Sequence, residues 1–304
     1  MSRRNGNDYK LVIGKETTYG TASVASLLHY PDSIEMNDTT AVIDVSTKTG
    51  TLIPGHCAKI KGVTTGTVTI KGQFTLDKIM LLELFNKASS ATYKPLNANQ
   101  ASDSWTIYRL WDESTDDVAD IATGCVLETF KLTADGGNIL MYEATLRTSG
   151  KINREARITG GLTYTSKTAC TVFPHYDSVY TRGASAVKYN SMSITYSRTF
   201  VDDAKAFQNS LVKGFDLITD SSAVLEIEWN YDTATDSVVY DNILGTVILD
   251  KFDFDSSSSD LEISTYGKYT SYDAPDPDNG IFTGKLTKDL LYDGTNDWLK
   301  FIVA

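Results

Sequence analysis

Cysteine, histidine and proline are all scarce in this chain of 304 residues, which holds 3 Cys, 3 His and 6 Pro. Cys57, Cys125 and Cys170 form no close pair. An odd, sparse set of this kind is not a disulfide framework, and it fits folding in a reducing compartment. His29, His56 and His175 are scattered, none beside a second pair of ligand type, so no metal spacing emerges. Cys57 follows His56 directly, but neighbours in an extended chain point to opposite faces, so the two read as loop residues and not as a thiol–imidazole dyad. G-x-S-x-G, Walker, H-E-x-x-H and C-x-x-C patterns are all missing. No catalytic residue, cofactor or metal site is therefore expected. No apolar run approaches the roughly 18 residues that cross a bilayer, so no membrane contact is expected. The basic segment Met1–Asp8 is not followed by an apolar core and does not read as a secretory signal.

Positive charge is in the minority: 28 Lys and Arg stand against 39 Asp and Glu, a formal net charge of −11. That balance argues against general affinity for nucleic-acid phosphates or anionic lipid. Lys and Arg are dispersed and lack interleaved aromatic platforms, and Arg3-Arg4 reads as a solvated tail. Two acidic groups invite a calcium reading. In Asp276-Pro277-Asp278-Asn279-Gly280, an EF-hand count begun at Asp276 puts Gly280 at the fifth position and Thr287 at the twelfth, where a bidentate carboxylate is needed. The whole stretch Asp273–Gly280 reads instead as an acidic turn that cannot be a central strand. Asp250, Asp253, Asp255 and Asp260 read as a charged strand end beside a flexible loop.

What the chain has is a period of two. In Thr67–Phe74, Val68, Ile70 and Phe74 share one face while Thr67, Thr69, Lys71 and Gln73 take the other. Further strands are expected at Trp105–Trp111, Cys125–Thr133, Ile139–Thr148, Ser191–Thr199, Val224–Tyr231, Thr246–Phe254, Leu261–Tyr269 and Trp298–Val303, with a hairpin turn at Ala134–Asn138. Helices are expected only at Leu76–Lys87, capped by Thr75, and at Thr233–Leu244 before Gly245. Each follows a strand of matching apolar spacing: Val68 matches Leu225, Ile70 matches Ile227 and Phe74 matches Tyr231. The pattern predicts an internal duplication whose halves meet near residues 160–175. Asn37–Lys59, rich in Thr, Gly and Asp, is expected to be a long functional loop.

The run Ile13–Ala22, with its Glu16-Thr17-Thr18-Tyr19-Gly20-Thr21 element, resembles the opening of many phage tail tube proteins. The order that follows is similar too: a long loop, a strand running into a helix, then strand, Gly136-Gly137 turn and returning strand. The resemblance implies a mainly β fold of two tandem tail-tube-type β-sandwich units, residues 1–165 and 166–304, each with one short helix. Such units assemble into a ring with a continuous inner β-barrel, and stacked rings form the tube through which genomic DNA enters the host. It also implies a virion protein, made in the host cytoplasm, whose partners are itself and other tail proteins at the tube ends, with DNA only as a passing cargo. If both halves are tube folds, about three subunits close a pseudo-sixfold ring, which is favoured over a hexamer. An acidic bore would repel phosphates. The loop 37–59, with Asp38, Asp44, Lys48, Pro54 and Lys59, would order as an arm between rings. The alternative is a virion carbohydrate-binding or adhesin module using Trp105, Trp111 or Trp298 as a sugar platform.

Overall fold

A computed structural model describes residues 9–23, 26–29, 31–45, 58–75, 81–85, 91–95, 103–112, 116–150, 152–166, 172–200, 218–230, 244–255, 260–278 and 281–303. The described chain is mainly β and forms a large, sandwich-like, almost wholly antiparallel sheet system. In chain order the strands are β1 Lys10–Lys15, β2 Ser26–His29, β3 Ser33–Val45, β4 Ala58–Gln73, β5 Thr92–Tyr93, β6 Trp105–Asp112, β7 Asp116–Asp135, β8 Met141–Thr148 and β9 Asn153–Thr159. They continue with β10 Tyr164–Ser166, β11 Ser178–Arg182, β12 Ser185–Val187, β13 Ser191–Phe200, β14 Ile218–Asn230, β15 Val247–Asp255, β16 Asp260–Asp278, β17 Ile281–Leu290 and β18 Leu299–Val303.

The pairings of the first half recur in the second. Strand β1 pairs with β2 and β6, β3 with β4, β4 with β8, and β7 with β6, β8 and β9. Correspondingly, β11 pairs with β12 and β15, β13 with β14, β14 with β17, and β16 with β15, β17 and β18. Even an irregularity repeats. Leu127 faces Leu146 and Thr129 faces Thr145, leaving Glu128 as an extra residue. Tyr269 faces Lys288 and Ser271 faces Thr287, leaving Thr270 as an extra residue. Bulges of this kind redirect a strand, and both long strands here change partners close by. Gly124 makes the change possible in β7: its φ is +60° and a Cβ there would lie 2.5 Å from Cβ of Ser149. Antiparallel pairing of β7 with β13 joins the halves into the run β3-β4-β8-β7-β13-β14-β17-β16.

One face of that run is dry. Ile34, Met36, Val68, Ile70, Phe130, Leu132, Ala144, Leu146, Ile194, Tyr196, Leu225 and Ile227 are all buried in a cluster that spans both halves. The halves also interlock. Phe85 sits 4.8 Å from Phe130, 5.0 Å from Tyr196 and 5.2 Å from Phe301, centroid to centroid. Buried Arg198 donates to the Phe85 carbonyl and to Tyr196 Oη. Strand β5 adds to β18 at Tyr93↔Phe301.

Two sequence expectations change here. Of the expected helix Leu76–Lys87, residues 81–84 form a 3₁₀ turn, and the rest apart from Phe85 lies outside the described residues. Leu81, Leu82, Leu84 and Phe85 are all buried and Glu83 is half-buried, so core packing holds this turn. The second helix, Thr233–Leu244, lies outside the described residues except for Leu244, which is in a turn. The expected turn Asp273–Gly280 is instead strand up to Asp278, paired on one side with β17, which sequence reading missed.

Asp250 is also not a surface charge. It and Lys288 are fully buried, with Nζ 2.6 Å from Oδ2. Lys288 donates further to the carbonyls of Ile248 (2.8 Å) and Thr265 (2.9 Å). Tyr269 and Tyr180 donate to the carboxylate at 2.7 and 3.2 Å. Burial lowers the Lys288 pKa although Asp250 opposes the shift. The matching position of the first half is Leu146, which makes the same pairings. Lys288→Leu should cost about 3–5 kcal/mol, because it strands a buried carboxylate. Replacing Asp250 with Leu in the same chain should restore most of that loss in chemical denaturation.

The segment between the halves is held by Leu140 N–H to Phe173 O and His175 N–H to Asn138 O, both 2.9 Å. His175 is buried against Tyr189, with centroids 4.7 Å apart. Burial lowers its pKa, and Asp135 only partly offsets this. A His whose folded pKa lies below the unfolded value of about 6.5 contributes stability fully above that value and loses it as pH falls through the folded pKa. The thermal midpoint should therefore fall less between pH 7.5 and 5 in His175→Phe than in the parent chain.

Candidate functional site

The other face of the eight-stranded run is polar. Ser33, Glu35, Asn37 and Thr39 of β3, Thr67, Thr69 and Lys71 of β4, and Glu143 and Thr145 of β8 alternate with the core residues. So do Lys131 and Thr133 of β7, Ser191, Ser193, Thr195 and Ser197 of β13, Glu226 and Glu228 of β14, Lys285 and Thr287 of β17, and Ser271 and Asp273 of β16. Hydroxyls dominate, and acids outnumber bases. Two of the lysines are neutralised locally: Lys71 lies 3.0 Å from Glu143, and Lys285 lies 2.8 Å from Glu226. A shallow cavity of about 360 Å³ lies across the junction of the halves, lined by Lys131, Asp135, Ser193, Glu226, Glu228 and Lys285. It brings together no nucleophile–base pair. No group of three metal-ligating residues occurs among the described residues, and none of their helices is long and apolar enough to cross a membrane.

The run ends on two strands, β3 and the second part of β16. Among the described residues, neither has a partner strand on its outer side beyond β4 and β17 respectively. Each has a counterpart inside the chain that does. β13, the counterpart of β3, pairs with β7, the counterpart of β16.

The expected inter-ring loop falls on β3 and β4. Asp38 faces Gly66 and Asp44 faces Lys59 in an extended hairpin, so residues 37–45 and 58–59 are strand and not loop. The register runs Val42↔Lys61, Ile43↔Ile60 and Val45↔Ala58, and β-branched residues favour such a ladder. Lys48 and Pro54 lie outside the described residues, as do His56 and Cys57. Asp38 accepts from Arg154 Nη2 at 3.0 Å.

The Glu16–Thr21 element has a structural job that the sequence did not disclose. Glu16 is buried. Its carboxylate accepts the Gly20 and Gly124 N–H groups at 2.8 Å each, Ser104 Oγ at 2.7 Å and Thr106 Oγ1 at 2.8 Å. Gly20, with φ +74°, lets the chain curl back over its own Glu. Tyr19 packs against Val126 and Phe200 at the lower end of the run. One carboxylate thus ties β1, β6 and the bend of β7 together. Burial and the Glu16 charge push Tyr108 up to about 12 and the buried Cys125 thiol well above its ordinary value, so Cys125 is an inert core residue.

The sugar-platform residues are not displayed. Trp105 and Trp298 are buried, and Trp111 lies under the Arg109 guanidinium and against Tyr9. No protein-family model matches the chain, and no curated protein matches it in sequence.

Glu16→Ala should leave four donors, three of them buried, without this acceptor and cost at least about 3 kcal/mol. Glu16→Gln, which keeps the shape but not the charge, should fall between Ala and the parent in urea denaturation.

Proposed function

We propose that the chain is a structural tube protein: two tandem tail-tube-type units that close into a ring and stack into the tail tube of a long-tailed phage. The observation that carries this reading is the pair of open strands at the ends of the eight-stranded run. Strand direction alternates along the run, so the outer edge of β16 is antiparallel to the β3 edge of a second copy, the same relation as β7 to β13 inside the chain. An open edge invites another strand, and a head-to-tail contact that closes makes a ring. With two four-stranded sheets per chain, about three chains complete the six-unit barrel that the resemblance implies. The polar, net acidic face would then line the bore, where hydroxyls and neutralised lysines offer phosphates little to bind.

The internal junction also sets the register of the external one. Ser197 faces Thr129 and Thr195 faces Lys131. If the external junction copies it, Thr39 would face Ser271 and Asn37 would face Asp273 across the proposed subunit boundary. Opposed residues in a ladder have Cβ atoms about 4.5–5.5 Å apart, within reach of a disulfide after small shifts.

A chain carrying Thr39→Cys and Ser271→Cys should form oxidised species running as dimers and trimers, while either single variant should not. Symmetry-unbiased electron-microscopy averages with mass per ring should give about three subunits. Six would mean that one half decorates the outside. A monomer that persists under every assembly condition would remove the tube function.

A further inference from the structure

The open edge of β3 is already occupied in the single chain, by side chains in place of a strand. Ile34 N–H donates to Tyr9 Oη at 3.1 Å, Arg109 Nη1 donates to the Ile34 carbonyl at 3.4 Å, and Arg154 Nη2 donates to the Met36 carbonyl at 2.7 Å. Backbone groups of alternate residues face the same side of a strand, so these are edge groups that point away from β4. Their counterparts on β13, at Met192 and Ile194, lie opposite Ala134 and Leu132 of β7. Three side chains therefore stand where a strand stands in the second half.

The three are held as a set. Arg109 is clamped by Asp120 through both Nε, at 3.1 Å, and Nη2, and it lies 4.5 Å over the Trp111 ring. Tyr9 packs edge-on against the same ring, with centroids 6.0 Å apart. Arg154 bridges Asp38 at 3.0 Å and Asp120 at 3.7 Å. Asp120 Oδ1 accepts the Glu155 N–H at 2.8 Å, and Glu155 has the left-handed φ of +48°. A non-glycine residue in that region is held there by its surroundings. Burial raises the Asp120 pKa, but the Glu155 N–H and Arg109 together bring it below the ordinary value, so it stays an anion able to hold both arginines.

We infer that Tyr9, Arg109 and Arg154 form a latch over the ring-forming edge of β3, and that the latch must release before β16 of a second copy can pair along that edge. This rests on the ring reading above. The occupant that the latch excludes is a strand of this same chain. Arg154 is the group that lets go most readily, because it is 39% exposed and makes its edge bond from a long, solvated side chain. Residues 37–39 lie beyond the latched carbonyls, so a neighbour's strand can begin to pair there and displace Arg154 next.

The test uses the full chain and a fluorescent synthetic peptide of residues 267–278 as the competing strand. Arg154→Ala and, separately, Tyr9→Phe should bind the peptide at least about tenfold more tightly than the parent, and should assemble faster at equal concentration. Tyr9→Phe removes one hydroxyl and keeps the ring, so it guards against a variant that merely misfolds; circular dichroism verifies both folds. Faster hydrogen exchange at the Ile34 amide in Tyr9→Phe should accompany the tighter binding. Equal peptide affinity in parent and folded variants, or slower assembly in the variants, overturns the latch. If the parent never forms rings but the peptide preference holds, the ring reading fails and the edge guard stands. If rings form and the peptide preference is absent, the latch fails alone.

Discussion

Backbone hydrogen bonding at strand edges is the constraint on which the rest of this structure depends. An antiparallel run satisfies every N–H and C=O except those on its two outer strands. Here the run is long because β7 and β13 have already spent one pair of edges on each other inside the chain. The remaining pair, on β3 and β16, is the same pair by topology. In the proposed ring, the contact that joins the halves inside the chain would be repeated between copies. Where β3 meets no strand among the described residues, arginine and tyrosine side chains bond its outer backbone groups.

The halves share pairings but not interiors. At one matching site the first half has Leu146 and the second has Lys288, compensated by Asp250 and two tyrosine hydroxyls. A buried ion pair seldom adds net stability relative to well-packed apolar residues, so the site is better understood as fixing which strands stack where. The first half also lends Phe85 and β5 to the core of the second, so that the buried cluster does not divide at the middle of the chain. Such exchange packs the two halves against one shared core.

Much of the fold was legible because a period of two has one cause, a sheet with a wet face and a dry face. β8 and β13 match the expected segments Ile139–Thr148 and Ser191–Thr199 to within a residue or two, whereas β4 and β14 begin earlier than expected, at Ala58 and Ile218, where the apolar alternation gives way to Lys, Gly, Thr, Asp and Ser. β17 was not legible: Gly284 and the buried Lys288 occupy two of its dry positions, and neither looks apolar. Asp250 misled for the same reason, since a lone Asp declares its burial only through a partner far along the chain. The Leu81–Phe85 segment misled in the opposite sense, because an apolar cluster has the same composition in an α-helix and in a buried 3₁₀ turn. The Glu16–Thr21 element was noticed as a resemblance, yet its physical content, one carboxylate holding four donors, depends on Ser104, Thr106 and Gly124, which no local pattern could supply.

The candidate surface was the least legible part. Its residues are ordinary on any strand: Ser, Thr, paired Lys and Glu. They gain meaning only when the topology sets them side by side on one continuous face, free of convergent chemistry. Net charge was a poor guide to that face, because much of its charge cancels locally, as at Lys71 with Glu143 and Lys285 with Glu226. A uniformly acidic wall would repel a polyanion but would also repel itself around a closed ring, with every subunit adding to the strain. A hydroxyl-rich wall with a modest acidic excess avoids both difficulties. It holds few fixed cations for phosphates to displace counterions from, and it lets identical strands approach across each boundary. In the proposed tube, indifference to the cargo is therefore built from small polar side chains more than from charge.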